Sequence, residues 1–200
     1  MSDDAIVVAQ SAGYLGLPRS AKLTYLASLS EDDFRDKLVI PLFERKGLRC
    51  ERDTCGPSEE GKDAIFTLPD VLGGRQVYVI QTKRGNLNLS SKPRQNLLEA
   101  IAQVRTALDT EVYLTHTKDR RAPDQVLLVV SGVINEAARR HIYDSVRDPR
   151  IRFYDANSLL PLIDDCFREF WHGISAGRFP YLRQLRQDLL AQSDTIAVAE

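Results

Sequence analysis

The chain has 200 residues, 43% of them hydrophobic and 28% charged, which supplies the core of one domain plus helical extensions. Its formal net charge of −1 excludes binding to nucleic acid by overall charge, so any phosphate affinity has to come from local basic clusters. No apolar run approaches ~18 residues, which excludes a membrane-spanning helix, and the acidic start Met1-Ser2-Asp3-Asp4 is not that of a secretory signal.

Residues 1–29 read as an N-terminal extension with a short helix near Ala21–Leu29. The first strong element follows Ser30, where Ser30-Glu31-Asp32-Asp33 places a hydroxyl cap before an acidic first turn. Phe34, Leu38 and Leu42, with Val39 and Phe43 beside them, then make an apolar stripe at helical spacing. Pro41 should kink this helix or start a new turn, and Gly47 suits its end. Leu48–Arg52 reads as a short strand, and Gly56-Pro57-Ser58-Glu59-Glu60-Gly61 as a turn. Ala64–Leu68 and Gln76–Gln81 read as a hairpin with a loose loop at Pro69-Asp70 and Gly73-Gly74. The second of these strands is apolar at consecutive positions, which predicts burial on both faces.

Pro93 suits the first turn of a helix that carries Leu97, Leu98, Ile101, Val104, Arg105 and Leu108. Gln125–Val130 is a strand, Asn135 caps a helix running to about Val146, and Ile151–Tyr154 is a last short strand. Ser158 opens a helix rich in Leu159, Leu160, Leu162, Ile163, Phe167, Phe170 and Trp171. The order predicts an α/β fold, a mixed β-sheet flanked by helices, over 30–173. Residues 174–200 read as a connector, Gly177-Arg178-Phe179-Pro180, and an amphipathic helix at 181–190 that packs on the domain or leads to a further one. Tyr154 and Trp171 read as core residues.

Cys50, Cys55 and Cys166 are odd in number and include no CxxC pair, and His116, His141 and His172 do not stand at zinc-site spacing. A reducing, cytoplasmic setting is the expectation. Phosphate-binding glycine loops, a nucleophile elbow and an HExxH helix are all missing. Basic residues do cluster, at Lys83, Arg84, Lys92, Arg94 and Arg105 and again at Lys118, Arg120 and Arg121. Arg84, Lys92 and Arg94, with Gln95 and Gln103 beyond them, are candidates to meet a DNA backbone, although such runs are commonly no more than a solvated face. Ser131-Gly132 ends a strand near the same edge.

One constellation carries chemistry. Asp63 opens the first strand of the hairpin, and Gln81-Thr82-Lys83 closes the second. Paired strands run about 4.8 Å apart, so the two ends should converge, with Gln81 and Lys83 on one face. A single Asp, Gln or Lys at a strand end is ordinarily a surface residue, and the reading rests on all three together. Asp63, the amide oxygen of Gln81 and the carbonyl of Thr82 form an oxygen donor set of the kind Mg²⁺ takes, with Mn²⁺ able to substitute. Lys83 adds a compact positive charge that can orient or deprotonate a water attacking a phosphodiester.

The segments GPSEEGKDAIF and VYVIQTKR resemble the core of the PD-(D/E)XK nuclease superfamily, in the Mrr-like restriction-endonuclease variant whose last motif is QxK. DDFRDKLVIPLFERKGL before them is similar to the family's opening helix, and VLLVVSGVINEAARRHIYDSV with IRFYDANSLLPLI to its closing strand–helix–strand–helix. The likeness covers roughly residues 30–167. It implies a restriction-endonuclease-like fold and a Mg²⁺-dependent endonuclease acting on DNA, with Asp63, Gln81 and Lys83 in the catalytic roles. It also implies an effector module of a larger bacterial defence or restriction protein, with a C-terminal regulatory domain and a homo-oligomer as further expectations. The family's FE pair is absent from the first helix, where Phe34 precedes Arg35, and Glu31 and Asp36 both stand as substitutes for its acid. Glu60 occupies the acidic position before the aspartate, within the turn. A non-catalytic nucleic-acid-binding or interaction module on the same fold, and an RNA nuclease, are the alternatives.

Overall fold

The structure is a computed structural model and describes residues 17–51, 63–71, 73–89, 95–114 and 117–172. Glu60, Lys92, Pro93, Arg94, Cys55, His116, the 56–61 turn and the 181–190 helix of the sequence reading lie outside them. Two compact units divide the chain, one of them Leu23–Phe167. In the other, Lys22 lies over the ring of Trp171, 5.1 Å from its centroid, and Trp171 is fully buried.

Helix α1 spans Arg19–Ser28. The next helical run, α2, covers 31–45 in three parts: an α-turn at Glu31–Phe34, a π-helical stretch at Arg35–Val39 and α-helix again at Ile40–Arg45. Ser30 caps it, accepting from the N–H of Asp33 at 3.0 Å. Pro41 has its effect upstream. It cannot donate the bond an α-helix needs there, and the wider turn before it, in which the N–H of Ile40 bonds the carbonyl of Arg35, takes up the mismatch. Gly47 ends the run at φ +91°, a conformation that favours glycine. Gly47 N–H bonds the Glu44 carbonyl and Leu48 N–H the Phe43 carbonyl, the paired closing bonds of a Schellman motif.

The main sheet has five strands, β1 (Arg49–Cys50), β2 (Ala64–Pro69), β3 (Arg75–Lys83), β6 (Gln125–Val130) and β7 (Ile151–Tyr154), in that spatial order. β1, β2 and β3 pair antiparallel, whereas β3, β6 and β7 run parallel. Between β3 and β6 the chain crosses over through α3 (Gln95–Asp109) and a small hairpin, β4 (Val112–Leu114) with β5 (Asp119–Arg121). That hairpin is absent from the sequence reading, because its strands have three residues each and β5, Asp-Arg-Arg, carries no apolar residue to pattern against the Val-Tyr-Leu of β4. Helices α4 (Glu136–Val146) and α5 (Ala156–Cys166) complete the fold, the expected mixed sheet flanked by helices.

Alternation sorts the two faces. Ile65, Val77, Val79, Val126, Leu128 and Val130 join Leu97, Ala100, Ile101 and Val104 of α3 and Ala138 and Ile142 of α4 in one buried cluster. On the opposite face Phe43 of α2 meets Phe66 and Tyr154, with ring centroids 6.2 and 5.6 Å apart. Burial of β3 on both faces holds at Val77, Val79 and Ile80, while Tyr78 is only half-buried. Tyr154 is likewise half-buried and Leu98 is exposed, so neither belongs to the core. Helix α5 starts two residues earlier than read: Asp155 is its cap, accepting from the Ser158 N–H, and Ser158 is the third residue, its Oγ accepting in turn from the Asp155 N–H. The helix ends at Cys166, so Phe170 and Trp171 stand on a separate 3-10 turn.

Candidate functional site

The site lies where β3 ends. β3 and β6 are parallel neighbours, so their carboxyl ends form one edge, the usual place for ligands in open α/β sheets. That edge is stitched together locally. The N–H of Ser131 bonds the Lys83 carbonyl, the Gly85 N–H donates to Ser131 Oγ at 2.9 Å, and the Gly132 N–H bonds the Gly85 carbonyl. Ser131 and Gly132 therefore hold the exit of β3 against that of β6.

Asp63 stands just before β2, with its N–H on the carbonyl of Ile80. Its Oδ2 accepts from the backbone N–H of Thr82 and, at 2.7 Å, from the Thr82 hydroxyl. The carboxylate is thus tied to β3 at the residue between Gln81 and Lys83. Gln81 is fully buried and held by other contacts, and its Oε1 accepts no hydrogen bond among the described residues. By alternation Gln81 and Lys83 continue the face of Val77 and Val79, toward α3, while Thr82 faces the other way.

Lys83 is a buried charge at this edge. Its side chain is only 8% exposed, and its Nζ donates to Glu99 Oε1 at 2.9 Å and to Glu31 Oε1 at 3.4 Å. Burial alone would lower its pKa, but the bond to Glu99 and the charges of Glu31 and Glu99 outweigh that and hold it above the ordinary lysine value. The structure brings Asp63 to Thr82, and Lys83 to Glu31 and Glu99; the two sets are joined through β3 itself.

The acids of α2 divide. Glu31, in the first turn, reaches the site with both oxygens, since its Oε2 also accepts from the backbone N–H of Arg84 at 3.1 Å. Asp36 is engaged by Arg35 through bonds of 2.7 and 3.1 Å. That bond to Asp36 raises the pKa of Arg35 against burial, and the charges of Asp32 and Asp63 add to it. The residue after Phe34 therefore brings a positive charge into the field of Asp63, where the resemblance had led one to look for an acid.

Glu99 is the residue that sequence reading passed over. It lies on α3, four residues before Gln103, whose Nε2 donates to the same Oε1 at 3.2 Å. The available signal was its place as the first acid on a helix that directly follows the QxK strand. Of the basic residues singled out, Arg84 is exposed at the edge. Arg105 instead donates to the Ser145 carbonyl and Arg121 to the Arg75 carbonyl, so both tie elements together.

The donors suit a hard cation. Among the described residues no three His, Cys, Asp or Glu gather as a metal cluster, so of these residues Asp63 is the carboxylate that could hold an ion here, with neutral oxygens and water. Mg²⁺ accepts such a set, whereas structural zinc does not.

No protein-family model matches the chain, and no curated protein matches it. Among solved structures, the MspJI restriction endonuclease in complex with a 27-mer oligonucleotide is similar, with a TM-score of 0.40 and 18% identity over 86% of this chain. The chain spans 33% of the length of that protein, and at this level the likeness carries nothing about chemistry. No described helix is long and apolar enough to cross a membrane.

Proposed function

We propose that this domain is a metal-dependent endonuclease that hydrolyses DNA phosphodiester bonds. The observation that carries the reading is the end of β3: a buried ammonium, Lys83, compensated by two carboxylates, one residue from the Thr82 that holds Asp63. Burying a charge at a sheet edge is costly and has to be offset by placed partners, and such arrangements concentrate at functional sites.

Asp63, Gln81 and the Thr82 carbonyl would hold Mg²⁺, with Mn²⁺ as a substitute, and the ion would supply charge for the phosphate and a more acidic water. Lys83, held as an ammonium, steadies the negative charge that develops on the phosphate. Arg84 at the exposed edge, with Lys92 and Arg94, would grip the neighbouring backbone, a contact that positions DNA without reading sequence. Specificity would then come from a further domain or partner, in keeping with an effector module of a larger bacterial defence protein.

Plasmid cleavage in Mg²⁺ or Mn²⁺ tests the reading. Asp63→Ala and Lys83→Ala should each cut at least about a hundredfold more slowly, the usual loss when one charge-stabilising group is removed. Parent-like cleavage by both variants would sink the assignment.

A silent nucleic-acid-binding module is the second reading. It is favoured by the two Thr82 bonds that already engage Asp63 Oδ2 and by the lack, among the described residues, of three acids placed to hold a metal ion. Such a protein would bind DNA with steep salt dependence and show no metal-stimulated cleavage. A panel of DNA and RNA substrates separates the deoxyribonuclease from an RNA nuclease with the same residues.

A further inference from the structure

We infer that Glu99 is a positioning residue: its carboxylate, seated on α3 and steadied by Gln103, fixes the ammonium of Lys83 at the end of β3. The geometry stands by itself, while its consequence for hydrolysis rests on the nuclease reading above.

A lysine ammonium rides on a flexible four-carbon stem, so its place is set by what it donates to. Two acceptors fix Lys83, and they come from different elements: Glu31 from the first turn of α2 and Glu99 from α3. Glu31 is shared, since its other oxygen holds the main chain at Arg84 and its bond to Nζ is the longer, 3.4 Å against 2.9 Å. The nearer anchor is Glu99. Gln103 donates to the very oxygen that receives Nζ, one helical turn along, which limits the swing of the Glu99 side chain. The order of action is Gln103 on Glu99 and Glu99 on Lys83. Residues acting in one chain of contacts couple, so their effects should not add.

The test compares Glu99→Gln, Glu99→Asp, Gln103→Ala and the double variant Glu99→Gln/Gln103→Ala, with Lys83→Ala as reference. Steady-state cleavage of a DNA substrate in Mg²⁺ is the first readout. The second needs no metal: the rate at which Lys83 is acetylated by an amine-reactive ester, followed by peptide mass spectrometry. Glu99→Gln should lower kcat by about tenfold with KM unchanged, as displacement of a catalytic group does. Glu99→Asp, which keeps the charge, should fall between it and the parent. Gln103→Ala should cost about two- to threefold, and the double variant should be no slower than Glu99→Gln alone. Acetylation of Lys83 should speed up several-fold in Glu99→Gln, because the ammonium loses its nearer, charged acceptor.

Parent-like kcat and acetylation in Glu99→Gln, with Lys83→Ala inactive, overturns the inference and leaves the nuclease reading standing. A fall in kcat with unchanged acetylation overturns it too, because Glu99 then acts by another route. Should Lys83→Ala cleave like the parent, the nuclease reading fails, and the acetylation rates alone decide the positioning. Should Glu99→Gln fail to fold, Glu99→Asp and Gln103→Ala give the same comparison.

Discussion

Charged side chains in this protein are placed by short, specific bonds, and they can be weighed one at a time. Asp148 shows how. Its carboxylate accepts from the Arg150 guanidinium at 2.7 and 3.0 Å and from the Arg150 N–H at 2.9 Å, at the turn that feeds β7. The side-chain bond to Arg150 is the main cause that lowers the Asp148 pKa, against a smaller opposing effect of burial. A carboxyl whose folded pKa lies below its unfolded value of ~3.9 contributes stability that is present above that value and lost as pH falls through the folded one. Screening is substantial at a pair 22% and 35% exposed, so the contribution is about 1 kcal/mol or less. Asp148→Asn should therefore be less stable by that amount in urea unfolding at neutral pH, and the gap should close as pH is taken below about 4. A gap of constant size down to pH ~3 would show that the ion pair is not its source.

At the scale of elements, the edge that carries the site depends on close approach between the chain leaving β3 and the chain leaving β6. Gly132 is where that approach is tightest. A Cβ there would sit 2.5 Å from the backbone carbon and oxygen of Gly85 and would collide with the Asn86 side chain. Asn86 Oδ1 already accepts from the Val133 N–H at 2.7 Å, and Gly132 accepts from the Ala156 N–H. Asn86 is held by that bond and Gly85 by its bonds to Ser131 Oγ and the Gly132 N–H, so a shift of either disturbs a hydrogen bond. Gly132→Ala should cost about 1–3 kcal/mol, as overpacking does, and should lower cleavage more than a substitution of equal cost elsewhere, because the Gly85 it displaces follows Lys83 and Arg84 directly. Thermal melts beside kcat measure both. Wild-type kcat in a destabilised Gly132→Ala would mean that the edge is not mechanically tied to the site.

Most of these elements were legible. Asn135 and Val146 bound α4 as read, Gln125–Val130 is β6, and the hairpin of β2 with β3 follows from two apolar runs joined by a Pro- and Gly-containing loop. The places of Asp63, Gln81 and Lys83 at the strand ends were legible as well, because a two-residue spacing decides them, but their partners were not: Asp63 is tied to Thr82, and Lys83 to Glu31 and Glu99. Glu99 was not, since its partner is 16 residues away across a turn of chain and only packing of α3 on β3 brings the two together. Glu31 and Asp36 could not be separated for a similar reason. One stands in the first turn of α2 and reaches the sheet edge, while the other meets its own neighbour Arg35.

For the molecule as a whole, the proposed metal binding would have to show in the stability of the fold, because a ligand that binds only the folded state stabilises it. A cation resting on Asp63 with neutral oxygens has little charge to hold it, so the site should be weak. At a metal concentration about ten times Kd the gain is about 1.4 kcal/mol, which for a domain of this size raises Tm by roughly 3–6 °C. The variants separate binding from chemistry. Asp63→Ala should abolish the shift, having lost the carboxylate. Lys83→Ala should keep it or enlarge it, since a positive charge near the cation is removed while Asp63 and Gln81 remain. Glu31→Gln reads the remaining question: if Glu31 serves only Lys83 and Arg84, the groups it bonds among the described residues, the shift should persist, and its loss would make Glu31 a second carboxylate on the ion. A parent protein stripped by chelator that gains nothing from Mg²⁺ or Mn²⁺, up to concentrations where nonspecific salt effects set in, would transfer the weight of the argument to the silent module.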